Sequence, residues 1–151
     1  MYELRRWRSA ATLISLFALI ASSAAAADDA KTSDASAHVL QAEMALQRQD
    51  YLDAAVEYRK AAELSEDADL ARKATIVGFS YRFNDEALRS AKRWRKLDPD
   101  SDEALVYLAQ SYFRAGELRN ARRSFKAMIE NGHQPPGQRL LSLVRYLSEE
   151  G

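Results

Sequence analysis

The sequence predicts an all-α fold built from a repeated pair of helices, and three observations carry the prediction. Apolar residues recur three and four positions apart through most of the chain, the period of an amphipathic helix. Glycine and proline are scarce, 5 and 3 in 151 residues, while alanine is abundant, a composition that favours helix. Ala54, Ala87 and Ala121 recur in equivalent settings at a spacing of about 34 residues, a period that belongs to stacked helix-turn-helix units. No alternating run of Val, Ile and Thr reaches strand length.

Residues 1–27 read as a targeting segment. Arg5, Arg6 and Arg8 form a basic region, Ala10 to Ala21 an apolar run, and Ser22 to Ala27 a stretch of small residues with a cut after Ala26 or Ala27. The run falls short of the ~20 residues that span a bilayer. Export to the periplasm with cleavage is therefore the reading, and an uncleaved anchor in the inner membrane is the alternative. No cysteine follows the run, which excludes a bacterial lipoprotein, and no disulfide can support the exported fold. Residues 28–34 are small and polar and read as a flexible mature N-terminus.

Helical spacing then continues to the end. Val39, Leu40, Met44 and Leu46 place a first helix from about Ala35 to Arg48. Tyr51, Ala54, Ala55, Tyr58, Ala61 and Ala62 place a second from about Tyr51 to Leu64, broken by Ser65-Glu66-Asp67. Leu70, Ala71, Ala74, Val77 and Gly78 mark a third. Asn84-Asp85 reads as a turn or cap before Ala87, Leu88, Ala91, Trp94 and Leu97 of a fourth. Asp98-Pro99-Asp100-Ser101 ends that helix and offers a cap to the next. Leu105, Leu108, Ala109 and Tyr112 form the fifth, and Leu118, Ala121, Phe125, Met128 and Ile129 the sixth. Asn131-Gly132 is a stop signal, and Leu140, Leu141, Val144 and Leu147 mark a seventh helix after Pro135-Pro136-Gly137.

Leu108-Ala109, Tyr112, Gly116, Ala121 and Phe125, with Leu97-Asp98-Pro99-Asp100 before them, resemble one unit of the tetratricopeptide repeat family. The likeness extends over about Ala35 to Gly132. In the first unit Gln49 stands where the turn glycine would be; in the second, one residue shorter, Phe83-Asn84 holds the turn. The resemblance is to an exported bacterial member. It implies a right-handed α-α solenoid of three helix pairs, about 35–68, 69–101 and 102–132, closed by a capping helix over 133–151. A bundle of amphipathic helices without repeat order is the alternative.

The resemblance also implies a function: a non-catalytic scaffold or adaptor of the bacterial envelope that holds a partner peptide or helix in a concave groove. The first helix of each pair would line it, through Val39, Glu43 and Leu46, then Lys73, Val77 and Tyr81, then Val106, Gln110, Phe113 and Arg114. The Lys/Asn clamp that some members use for C-terminal carboxylates is missing its asparagines. A basic face is expected on the second helices, from Arg89, Lys92, Arg93, Arg95 and Lys96 and from Arg119, Arg122, Arg123 and Lys126. That face suggests an accessory subunit docking on a membrane surface or an acidic partner.

Charge is segregated although the chain is formally neutral. Residues 28–71 hold 4 basic and 11 acidic residues, net −7, and residues 72–126 hold 13 basic and 7 acidic, net +6. Self-association is compatible with that polarity; nucleic-acid binding is not expected of an exported, near-neutral chain. No cysteine nucleophile, nucleophile-elbow serine, metal-spaced histidine pair or glycine-rich phosphate loop is present. His38 reads as a packed or exposed residue and His133 as an exposed turn residue. No enzyme activity, cofactor or metal is expected.

Overall fold

Three left-handed residues set the course of the chain. Gln49 (φ 62°), Arg82 (φ 62°) and Gly116 (φ 76°) each close a helix and turn the chain back on itself. A computed structural model describes residues 30–131 and, beyond them, Gly137, Gln138, Leu141 and Val144. Among the described residues all regular structure is helical: α1 (residues 30–47), α2 (Tyr51–Leu64), α3 (Ala68–Ser80), α4 (Asn84–Leu97), α5 (Asp102–Arg114) and α6 (Leu118–Asn131).

The three turns share one hydrogen-bond pattern. Asp50 N donates to Ala45 O (2.9 Å) and Gln49 N to Leu46 O (3.0 Å); Phe83 N donates to Gly78 O (2.9 Å) and Arg82 N to Phe79 O (3.2 Å); Glu117 N donates to Tyr112 O (2.9 Å) and Gly116 N to Phe113 O (3.0 Å). Each is a Schellman cap, in which a left-handed residue lets two trailing amides satisfy carbonyls the helix end leaves open. The caps at 49, 82 and 116 keep the same period of about 34 residues as the alanines. In the second turn the structure departs from the sequence reading: Arg82, not Phe83-Asn84, takes the left-handed position, and Asn84 is already inside α4, with Phe83 as its N-cap.

The links between these turns are capped conventionally. Asp67 accepts from Asp69 N (2.8 Å) at the start of α3, and Ser101 Oγ accepts from Ala104 N (3.1 Å) at the start of α5. Arg93 closes the other end of the first link, donating to Ala62 O (3.2 Å) and Ser65 O (2.5 Å) at the end of α2. α1 is helical from residue 30, so residues 30–34, expected as a flexible lead-in, are part of it.

Packing follows chain order. From α2 onward each helix lies against the next, and α2 also meets α4 while α3 meets α5. The largest core cluster gathers Ala42, Tyr58, Ala62, Ala71, Ala74, Trp94 and Ala104 from α1 through α5. It is made of small residues around Tyr58 and Trp94, so helix axes come close and two aromatics fill the gaps. Smaller clusters join Leu88 and Ala91 to Leu108, and Leu105 and Val106 to Met128. The closest approach is at Gly78, where an added Cβ would lie 2.8 Å from Ala87 N and 3.1 Å from Ala87 Cα. The expected signal segment 1–27 and most of the expected capping segment 133–151 lie outside the described residues. Leu141 and Val144, read as apolar positions of the seventh helix, are helical and exposed.

Two substitutions test this frame. Gly78→Ala should gain helix propensity yet lose about 1–2 kcal/mol net, because backbone rather than a flexible side chain meets the new methyl. Thermal unfolding should therefore move down by about 4–8 °C per kcal/mol; an unchanged or raised midpoint would refute the close approach. Arg82→Gly should act oppositely. It relieves a left-handed side-chain penalty of about 1–2 kcal/mol, partly offset by unfolded-chain entropy, and should raise the midpoint by a few degrees.

Candidate functional site

Two polar ties lie across α1, α3 and α5. Lys73 Nζ on α3 is 2.5 Å from Glu43 Oε1 on α1, and Tyr58 on α2 donates to the same carboxylate. Arg72 on α3 holds Glu103 on α5 through two parallel bonds of 3.0 Å, the bidentate geometry that suits guanidinium and carboxylate. A third link is Arg114 on α5, which donates to Phe79 O (2.7 Å) and stacks 3.5 Å from the Phe79 ring centroid. These ties place α1, α3 and α5 side by side as one three-helix face. Arg59 to Glu86 joins α2 and α4, and Arg93 on α4 reaches Glu66 in the link that follows α2 (2.8 Å).

The expected groove residues divide on this frame. Glu43 and Lys73 lie on the three-helix face as partners of each other. The Lys73 ammonium, then the Tyr58 hydroxyl, holds the Glu43 carboxyl below its ordinary range, and Glu43 in turn holds Lys73 above its own. Tyr81 is exposed at the turn end of the face and stacks on Tyr51 with centroids 3.8 Å apart. Val39, Leu46 and Val77 are half-buried and pack against the main core cluster.

Four positions do not meet the expectation of a free groove side chain. Val106 and Gln110 are buried, 6% and 5% exposed, because the flank of α5 expected to face a ligand is covered; Val106 packs on Met128 and Ala127 of α6. Arg114 is half-buried and occupied with Phe79. Phe113 is exposed but lies at the C-terminal end of the described helices, on a groove of about 570 Å³ between α5 and α6. Leu118, Ala121, Phe125 and Ile129 line that groove with it, bordered by Arg122, Lys126 and Glu130.

The basic face is smaller than the sequence suggests. Arg93 is half-buried and serves as the cap of α2, and Arg95 donates to the Pro99 carbonyl. Arg95 and Lys96 also sit in the last turn of α4, with Asp85 and Glu86 in its first turn, the arrangement that complements a helix dipole. Lys92 stands 4.0 Å from Glu117 and over the Tyr112 ring, and Lys126 is 3.6 Å from Glu130. Arg89, Lys96, Arg119, Arg122 and Arg123 are exposed.

A pair that sequence reasoning missed lies between α1 and α2. His38 Nδ1 is 2.5 Å from Glu57 Oε2, and Lys60 donates to the other carboxylate oxygen at 2.6 Å. The signal was present: Glu57 interrupts the apolar face that Ala54, Tyr58 and Ala61 define, so it had to be buried and therefore partnered. Burial pushes the Glu57 carboxyl up, but hydrogen bonds from Lys60 and His38 outweigh it and leave it below the ordinary range. The pair fixes α1 on α2. Among the described residues no group of three or more His, Asp and Glu could hold a metal ion, and no helix is long and apolar enough to cross a membrane.

No protein-family model matches this chain, and no curated protein matches it either.

The Glu57 pair sets a pH dependence. A carboxyl lowered on folding adds stability above its unfolded pKa and loses it as pH falls through the folded value. Thermal midpoints of the wild type should therefore drop from about pH 5 to about pH 3. Glu57→Gln should begin lower at neutral pH and drop less over that interval. Equal slopes for the two proteins would show that Glu57 is not held in its charged form.

Proposed function

We propose that the chain is an exported, periplasmic, non-catalytic scaffold. In this reading its six described helices are three tetratricopeptide-like pairs of a right-handed α-α solenoid. The observation that carries the reading is the three matching Schellman turns, which recur about every 34 residues. Helix pairs repeated at that period stack into arrays whose usual work is to hold other proteins.

The partner is a peptide or helix laid across α1, α3 and α5. Its contacts are the Glu43–Lys73 pair and the exposed Tyr81, with half-buried Val39 and Val77 beneath. The paired charges offer a polar register to an incoming backbone or side chain, and the aliphatic groups give apolar area. Tetratricopeptide architecture thereby accounts for the face, and an adaptor in the bacterial envelope accounts for the signal-like N-terminus.

A second reading rests on the exposed Arg89, Lys96, Arg119, Arg122 and Arg123. In it the chain is an accessory subunit that docks on an anionic membrane surface or an acidic partner.

One experiment separates the readings. The chain is used as bait against envelope extract beside two variants, Lys73→Glu/Tyr81→Ala and Arg119→Gln/Arg122→Gln/Arg123→Gln, with thermal melts to show that all are folded. The first reading expects the captured protein to fall at least tenfold in the first variant only. A loss confined to the second variant supports the basic face, and capture equal in all three refutes both.

A further inference from the structure

The two ends of the described array carry surfaces that match. The geometry points to head-to-tail association, in which α1 of one copy seats in the α5–α6 groove of another.

The groove is the counterpart of a junction the chain already makes. One repeat further along, Phe79, Leu88, Ala91 and Lys92 become Phe113, Arg122, Phe125 and Lys126. The first four receive α5 within the molecule. Leu88 and Ala91 pack on Leu108 and Tyr112, Phe79 meets the Tyr107 ring edge-on at 5.2 Å, and Lys92 lies 5.1 Å from the Tyr112 ring centroid. The last four line the open groove. Leu141 and Val144 beyond α6 are exposed and do not fill it.

The matching knobs are on α1. Tyr107, Leu108 and Tyr112 meet the preceding helices from α5. Two repeats earlier the place of Tyr112 is held by Ala45, which is buried, while Leu40 and Gln41 hold the places of Tyr107 and Leu108 and Met44 lies one turn beyond Leu40. Leu40, Gln41 and Met44 are exposed, Leu40 at 63% and Met44 at 48%. One turn apart on a helix, Leu40 and Met44 form an apolar ridge of the width a helix groove accepts.

Charge gives the contact its direction. Residues 28–71 carry net −7 and residues 72–126 net +6, so the front of one copy is drawn to the rear of the next and fronts repel each other. A second copy is therefore the occupant we propose: it brings the ridge, the opposite charge and the helix spacing together. Such a contact is heterologous. It builds chains unless the rotation closes a ring.

The test uses the full chain in sedimentation equilibrium up to about 100 µM, a range that populates complexes of micromolar Kd. The wild type should rise from its 17.0 kDa monomer mass to twice that and beyond. Phe125→Glu, which blocks the groove, and Leu40→Glu/Met44→Glu, which blocks the ridge, should each stay monomeric. Mixed together, these two variants should form a 1:1 dimer and nothing larger, since one intact groove meets one intact ridge. That complementation also shows that both variants are folded. A monomeric wild type would leave the groove to a foreign helix or to this chain's own C-terminal segment and would overturn the proposal. Association that survives in both variants, as contact through the apolar Ala10–Ala21 run would, overturns it as well. So does a mixture that stays monomeric.

Discussion

Reversal of the chain within a very short turn is the constraint on which the described fold depends. A helix ends with open carbonyls, and a second helix that must lie against the first leaves little chain in which to satisfy them. The left-handed residue at Gln49, Arg82 and Gly116 solves both problems at once. It bends the backbone and aims two amides at the helix just left. Once that cap is fixed, the direction of the following helix is fixed too. Gly78 then has to lie against the backbone of Ala87, and alanine fills the interface because larger side chains would not fit. Glycine meets the conformational demand at 116; at 49 and 82 a Gln and an Arg take the same conformation and carry the steric cost that a Cβ brings there.

Apolar contact alone would leave such helices free to slide, since small side chains give shallow ridges. The polar ties limit that freedom. Glu43 with Lys73, Arg72 with Glu103, and Arg59 with Glu86 each join helices two apart in sequence. The first two pairs are solvent-exposed and contribute little stability individually, whereas Arg59 and Glu86 are largely covered. The value of all three lies in registering one pair of helices on the next. The same economy explains Arg93, whose guanidinium closes the end of α2 instead of facing a partner.

Most of the fold was legible because helices of this kind are written by period. Tyr51–Leu64 and Leu118–Asn131 begin and end where the apolar spacing and flanking signals put them. The errors fall where a local residue type has two uses. Asn84 resembles a cap, yet it lies inside α4 behind Phe83 at the N-cap, and its side-chain amide donates to the Arg114 carbonyl instead. The early start of α1 was hidden because residues 30–34 have no apolar period of their own. The candidate site was less legible than the fold. Period tells which side of α5 is apolar, but not which flank a neighbour covers. With helices on several sides, Val106 and Gln110 were buried while Phe113 was left open. The His38–Glu57 pair spans 19 residues and two helices, which no local pattern reports.

The side-chain bonds that hold one pair of helices to the next reach across only 27 to 35 residues. The topology is therefore of low contact order, and the loop closed at each step of assembly is short. Structure can spread from the Tyr58–Trp94 region outward, one pair after another, without a long search for distant partners. Under the proposed export, in which the chain crosses a membrane before it folds, such an order of events is advantageous: each pair becomes protected soon after its own residues emerge, and little apolar surface waits for a segment still to come.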